Sequence, residues 1–249
     1  MSILDSFQNK GYGKNRLFYK IYRIFYMAFI KYPYKFKYGK MEFRIFDYLL
    51  IKQLRNNSFE LKNLKIMEDN INKESVCVDI GSHIGYYTLI MSKLGKKVYS
   101  FEPAKENFIL LEKNVRINDL KNVEVFNYGL GNIKWDAFHL FKNKEDSGDY
   151  RCYNAEGLKQ SETILMIKFD DFKLGKIDFV KIDTQGYELE VLKGMEQTLK
   201  DNPQIKLITE FTSEYLMYGK DGKDLKEFLM NYFSNIKYLE DNYLYCYNG

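Results

Sequence analysis

The chain has 249 residues, 45% hydrophobic and 29% charged, which is enough apolar material for a buried core and excludes a chain disordered by composition. Its three cysteines, Cys77, Cys152 and Cys246, are far apart and match neither a disulfide framework nor a zinc-ligand spacing, so a reducing cytoplasm is the expected setting. The net charge of +4 is uneven: residues 1–40 carry nine Lys or Arg against one acid, Asp5, which is +8, and the other 29 bases and 33 acids leave −4 for the rest.

Residues 1–58 read as a basic aromatic N-terminal helical extension and residues 59–249 as the main domain. In the arm, Leu17, Ile21, Ile24, Phe25, Ala28 and Phe29 can line one helical face. The apolar run 24–30 is far shorter than the ~20 residues a bilayer span needs. No small-residue cleavage site precedes Lys31, so a signal peptide is not expected. Three uses of the arm stay open. It can lie on anionic lipid at the inner membrane surface as a peripheral contact. It can present a basic aromatic surface to nucleic acid or an acidic glycan. It can also pack on the main domain with its lysines solvated. A second helix is expected from the spacing of Phe43, Phe46, Leu50 and Leu54.

The main domain opens with a buried strand at 76–80, in which Val76, Val78 and Ile80 are β-branched, followed by Gly81 and Gly85. Tyr87, Ile90, Met91 and Leu94 predict a helix that Gly95 stops. Residues 97–102 predict a second strand ending in Glu102, and Pro103 starts a helix with Phe108, Leu111 and Val115 inward. Residues 123–127 predict a third strand. Residues 132–162 break the alternation of strand and helix: a strand through Trp135, Phe138, His139, Leu140 and Phe141, a polar stretch with Asp149 and Arg151, then a strand at 163–169. An insertion at that point is a natural place for substrate contacts. Residues 178–183 predict the next buried strand, followed by a helix with Leu189, Leu192 and Met195 inward. Residues 205–210 predict another, and a helix through Leu225, Phe228, Leu229 and Tyr232 follows. Two short strands, 236–239 and 243–247, read as an antiparallel edge.

Four apolar strands therefore carry an acid at or near the end: Asp79, Glu102, Asp183 and Glu210. In a parallel sheet these ends share one edge, so the acids converge there. Glu102 lies 23 residues after Asp79, close to the ~20-residue offset at which an acid meets a ribose in nucleotide-binding α/β units. A dinucleotide fingerprint would place its glycines at 81, 83 and 86; His83 and Tyr86 stand there instead, and no phosphate-cradling Gly-x-x-x-x-Gly-Lys run occurs. Acids without a phosphate loop suit a nucleoside that has no phosphate and carries positive charge.

Residues 76–89 (VCVDIGSHIGYYTL), Phe101-Glu102-Pro103 with Asn107, residues 127–131 (NYGLG) and residues 178–194 (DFVKIDTQGYELEVLKG) resemble the successive motifs of the FkbM family of methyltransferases. The resemblance covers about 60–215. It implies a class I methyltransferase Rossmann-like fold, with a mostly parallel doubly wound sheet and an antiparallel C-terminal strand. It also implies S-adenosyl-L-methionine as cofactor. Asp79, Gly81, His83 and Gly85 would shape the pocket for the methionine and ribose, and Glu102 would accept both ribose hydroxyls, with Asn107 close by. Asn127 and the backbone of Tyr128 would lie near the adenine, and Asp183 near the transferable methyl. His83 stands where the family often has asparagine.

The expected activity is O-methyl transfer to a hydroxyl of a sugar, glycan or secondary metabolite, with Asp183 as first choice for the base and His83, Glu188 and His139 as weaker ones. Glu188 has a capping role as its alternative, and His139 a packing role. Asp183, Glu188 and Glu210 suit a hard divalent ion, but no spacing demands one and no metal is expected. The acceptor is expected to be a small molecule or glycan. Nucleic acid is a weaker alternative: 183–186 read Asp-Thr-Gln-Gly, without the Pro-Pro-aromatic signature of amino-methylating DNA enzymes. A nucleotide-dependent oxidoreductase is disfavoured by the failed glycine pattern, and a non-catalytic binding module by the intact run of acids.

Overall fold

The structure, a computed structural model, describes residues 34–38, 41–45, 60–142, 148–153, 159–212, 222–239 and 242–249. Strands β1 (Tyr34–Tyr38) and β2 (Met41–Ile45) form an antiparallel pair with Tyr38 opposite Met41. Helix α1 (Leu61–Asn70) leads into β3 (Val76–Ile80), α2 (Tyr86–Leu94), β4 (Lys97–Phe101), α3 (Lys105–Ile117) and β5 (Val123–Phe126). The insertion follows as β6 (Gly129–Leu130), β7 (Asp136–Lys142), β8 (Tyr150–Arg151) and β9 (Lys159–Ile167), a separate sheet ordered β6-β9-β7-β8. A 3-10 turn, Phe169–Phe172, returns the chain to the main sheet. There follow β10 (Phe179–Ile182), α4 (Glu188–Gly194), α5 (Glu196–Asp201), β11 (Lys206–Glu210), α6 (Lys223–Met230), β12 (Asn235–Tyr238) and β13 (Tyr243–Tyr247).

The main sheet is ordered β12-β13-β11-β10-β3-β4-β5. Strands β5, β4, β3, β10 and β11 are parallel, and β13 runs antiparallel to both β11 and β12. This is the doubly wound arrangement expected from the sequence, with its antiparallel C-terminal strand. The chain winds outward from β3 to β5 and restarts at β10 on the other side of β3. The switch point, where open α/β sheets bind ligands, therefore lies between β3 and β10.

Strand side chains alternate between two covered faces. Val78, Ile80, Val180, Ile182, Leu207 and Leu244 belong to one apolar cluster; Cys77, Phe179, Ile208 and Tyr243 belong to the other, with Leu89 and Ile90 of α2. Each such buried aliphatic side chain stabilises the fold by roughly 1.5–3 kcal/mol. By the same alternation Asp79 and Lys181 fall on the face that α2 covers, one position short of the sheet's carboxyl edge. Their two polar side chains are thus built into an otherwise apolar layer.

The helix expected through Phe43 is overturned at its start, since Met41–Ile45 is a strand. Met41, Phe43 and Ile45 alternate with Glu42 and Arg44, just as aromatic residues alternate with lysines in β1. That twofold period, paired across a hairpin, prevails over the helical spacing of Phe43 and Phe46. Leu17 to Phe29, and Phe46, Leu50 and Leu54, lie outside the described residues.

Candidate active site

The turn after β3 is shaped by contacts that only glycine permits. Gly81 has φ +72°, and a Cβ there would stand 1.8 Å from the Asp183 carbonyl oxygen. The close approach joins the ends of β3 and β10 at the switch point. The N–H groups of Gly81 and Ser82 both donate to the Phe101 carbonyl at 3.0 Å, which ties the turn to the end of β4. Ser82 Oγ donates to the Asp79 carbonyl at 2.8 Å, and Asn114 Nδ2 to the Ile84 carbonyl at 2.8 Å. His83 takes up a left-handed conformation, φ 51°, that aims its backbone N–H at Glu102 Oε2, 2.8 Å away.

Glu102, the first residue past β4, is buried. Its Oε1 accepts the Ala104 N–H at 2.9 Å, and the Asn107 side chain bonds to it as well. Burial pushes its carboxyl up to about 7, against the pull of the Ala104 and His83 N–H groups. The Asn127 amide donates to the carbonyls of Glu102 and Pro103, at 2.8 and 2.9 Å, so it braces the loop that presents Glu102. A carboxylate oxygen holds more than one lone pair, so a ligand hydroxyl can be accepted at each oxygen beside the backbone donors.

Asp79 is fully buried. Its Oδ2 accepts Thr88 Oγ1 at 2.6 Å, and Thr88 in turn lies 2.9 Å from Ser100 Oγ. Lys181 Nζ is 3.7 Å from Asp79 Oδ1, 3.4 Å from Asp183 Oδ2 and 3.2 Å from the Gly81 carbonyl oxygen, to which it donates. The same ammonium sits 5.1 Å from the Tyr87 ring centroid, and the Tyr87 hydroxyl donates to Glu60. Burial works to lower the Lys181 pKa, but the Asp183 and Asp79 carboxylates outweigh it and the net shift is upward. Burial raises Asp79, with Lys181 and Thr88 opposing it.

Asp183 follows β10. Its Oδ1 accepts Gln185 Nε2 at 2.7 Å and its Oδ2 accepts the Tyr243 hydroxyl at 2.7 Å. Burial would raise its carboxyl; Lys181, Tyr243 and Gln185 together hold it below the usual aspartate value. Gln185 Nε2 also donates to Glu210 Oε2 at 3.1 Å. Burial, and then the Asp183 and Glu188 carboxylates, push the Glu210 carboxyl up to about 10. Glu188 is fully buried; its Oε1 accepts the N–H and hydroxyl of Thr184 at 2.7 and 3.1 Å, and its Oε2 accepts the Gly186 N–H at 3.1 Å. These are the contacts of a cap that closes the loop 184–186, the alternative to a catalytic role for Glu188. Oxygens of Asp183, Glu188 and Glu210 lie within 4.8 Å of one another, and all three carboxylates accept protein hydrogen bonds.

The insertion crosses this edge. The Tyr150 hydroxyl donates to Glu106, on the α3 side. At the other end the Tyr153 hydroxyl lies 2.7 Å from where a Gly186 Cβ would be, so Gly186 leaves room for that ring. Burial first, then the Glu102 and Glu188 carboxylates, push the Cys152 thiol up to about 12. Arg151 donates from Nε to Asp149 at 2.6 Å and from Nη1 to the Tyr153 hydroxyl at 3.3 Å. His139 is on an exposed position of β7.

The structure thus brings Asp79, Gly81, His83, Gly85, Glu102, Asn107, Asp183 and Glu188 to one edge. Sequence reasoning missed Lys181, Thr88, Gln185 and Tyr243. Lys181 had a signal, a lone cation at the centre of a short apolar strand flanked by acids; Tyr243 had none, because it comes 60 residues after its partner on the antiparallel strand.

Residues 79–239 match the family described as the methyltransferase FkbM domain. The chain is 28% identical over 185 residues to the hexuronic acid methyltransferase AglP of Haloferax volcanii, covering 72% of this chain and 71% of that relative. It is 29% identical over 163 residues to the methyltransferase sdnD of Sordaria araneosa, covering 51% of this chain and 63% of the other. A solved FkbM methyltransferase from Methylobacillus flagellatus superposes with a TM-score of 0.49 at 17% identity, covering 82% of this chain and 56% of that one.

Proposed function

The chain belongs to the FkbM methyltransferase family, and from that premise we propose that it is an O-methyltransferase acting on a hydroxyl of a sugar or glycan, with acidic sugars as the first acceptors to test. It is a methyltransferase of the class I fold, and its cofactor is S-adenosylmethionine. That cofactor supplies an electrophilic methyl on a sulfonium centre.

The residues present fit the cofactor. A cationic nucleoside without phosphates calls for carboxylates rather than a phosphate loop. The edge carries the buried Glu102, held by the N–H groups of His83 and Ala104, and its two oxygens would accept the ribose hydroxyls. Asp79 Oδ1 is a buried oxygen without a hydrogen bond, beside the turn formed by Gly81 and Gly85. We assign Glu102 and Asn107 to the ribose, and Asp79 and the turn 81–85 to shaping the methionine end. Asn127 braces the loop on the adenine side.

Asp183 orients the acceptor hydroxyl and receives its proton. Its low pKa, set by Lys181, Tyr243 and Gln185, makes it a weak base at equilibrium but keeps it ionised and fixed, and in-line displacement depends mainly on position. Glu188 holds the loop that presents Asp183. His83 acts through its backbone N–H.

What supports the acceptor reading is the strap 150–153, which runs from Glu106 to the Gly186 loop and carries Arg151, paired with Asp149 and the Tyr153 hydroxyl. A guanidinium suits a sugar carboxylate, and the similar AglP is described as acting on a hexuronic acid. Incubation with methyl-labelled S-adenosylmethionine and matched neutral oligosaccharides, uronic-acid oligosaccharides and RNA tests this. Label is expected on the uronic-acid set, as a base-stable methyl ether; label on RNA alone would overturn it. Among the described residues no helix is long and apolar enough to cross a membrane.

A further inference from the structure

We propose that Lys181 is a positioning residue for methyl transfer: locked between the Gly81 carbonyl and the carboxylates of Asp79 and Asp183, it fixes the donor turn and the acceptor-orienting acid in one relative geometry. The inference rests on the role of Asp183 proposed above.

A stabilising role is a poor account of this side chain. Lys181 is 3% exposed and lies in the middle of a strand whose other residues, Phe179, Val180 and Ile182, are buried and apolar. Taking an ammonium out of water is costly, and replacing a buried ion pair by apolar groups of similar volume is often neutral or stabilising. A valine or methionine would complete the layer. What an apolar residue cannot do is hold three points at once. Nζ is 3.2 Å from the Gly81 carbonyl oxygen, 3.7 Å from Asp79 Oδ1 and 3.4 Å from Asp183 Oδ2. Gly81 belongs to the turn on β3 and Asp183 to the end of β10, the two strands that flank the switch point. The Tyr87 ring, 5.1 Å from Nζ, closes the fourth side, and Tyr87 is anchored through its hydroxyl to Glu60. The ammonium therefore cannot swing away without leaving a buried carboxylate unpaired.

The donor turn has further supports: the Gly81 and Ser82 N–H bonds to Phe101 and the Asn114 bond to Ile84. Donor affinity is thus expected to survive loss of Lys181, while the line from donor methyl to acceptor oxygen does not. A misplacement near 1 Å between reacting groups costs about 100-fold in rate.

The test uses the full chain and three variants, Lys181→Met, Lys181→Arg and the charge-balanced pair Asp79→Asn with Lys181→Met, plus Asp183→Asn. Calorimetry gives the Kd for S-adenosylmethionine, and carbon-13 NMR of the bound donor, labelled at its methyl, gives an acceptor-free report of where that methyl sits. In folded Lys181→Met and Lys181→Arg the Kd is expected to stay within about fivefold, and the charge-balanced pair serves to report whether the fold survives loss of the buried ions. The bound methyl resonance is expected to move from its wild-type position, and turnover of the uronic-acid oligosaccharides is expected to fall about 100-fold. Lys181→Arg keeps the charge, and so the fold, but its planar fork cannot reproduce the three contacts, so it is not expected to rescue. A folded variant with wild-type methyl resonance and turnover within threefold would overturn the proposal. Wild-type turnover in Asp183→Asn would instead overturn the reading of Asp183; a slow Asp183→Asn beside a normal Lys181→Met would overturn this inference alone.

Discussion

Lys181 and Asp79 are register partners on the adjacent parallel strands β10 and β3, with 3.7 Å between Nζ and Oδ1 and both side chains buried. They stand at the switch point of the sheet, one residue before the strand ends that carry the chemistry. Asp79 spends its other oxygen on Thr88 of α2. The pair thus clamps the helix, both strands and the glycine turn.

Thr88→Val tests the helix side of that clamp. It keeps the shape but removes the donor to Asp79 Oδ2 and the contact to Ser100. Leaving a buried acceptor short costs about 1–3 kcal/mol. Denaturant unfolding is expected to show that loss, with Thr88→Ser restoring most of it; an unchanged midpoint in Thr88→Val would refute the clamp.

Gly81→Ala is expected to be far worse than an ordinary core change. The new Cβ would lie 1.8 Å from a backbone oxygen at Asp183, and the residue is already at φ +72°. Neither strand end can yield cheaply, so a loss of more than ~3 kcal/mol is expected. A variant that melts with the wild type would show that the two strand ends do not meet there.

Stability should fall as pH rises from about 4.5 toward neutrality. Glu102 and Glu188 are each raised by burial from 4.5 to about 7, so between those values the folded state holds protons that the unfolded chain has released. Their contribution is full below 4.5 and is lost as pH passes 7, at up to about 1.4 kcal/mol per pH unit for each group. Glu210 extends the same trend toward 10. Asp183 acts in the opposite sense, but only near and below 3.8. Denaturant melts of the ligand-free protein from pH 5 to 8 are expected to show the decline, with a shallower slope in Glu188→Gln. A rising stability across that window would contradict the burial of these acids.

Arg151→Met addresses the acceptor. Losing one charge-assisted hydrogen bond, about 1.5–3 kcal/mol, is expected to raise KM for a uronic-acid acceptor by tenfold or more while donor affinity holds. An equal KM for charged and neutral acceptors in the wild type would remove Arg151 from the acceptor site.

Most of the sheet was legible because its parallel strands are short apolar runs, four of them with an acid at or near the end, and the helices between them show inward residues at 3.6-residue spacing. Asp79, Glu102, Asp183 and Glu210 could be placed on one edge from that pattern alone. The contacts between them could not. A lysine inside an apolar run reads equally as a partnered charge or a snorkelling stem, and only register sets Lys181 beside Asp79. Tyr243 reaches Asp183 because β13 reverses direction next to β11, a long-range pairing with no local trace. Around Phe43 two periods compete, and the alternation in Met41–Ile45 prevails over the helical spacing of Phe43 and Phe46.

In the proposed function Glu102 holds the donor at the carboxyl edge of the sheet. Isothermal titration of S-adenosylmethionine into the wild type and Glu102→Ala tests it most directly. Two lost hydrogen bonds to a charged group, about 1.5–3 kcal/mol each, predict one site per chain in the wild type and at least 100-fold weaker binding in the folded variant. Equal affinity in the two proteins would contradict the account.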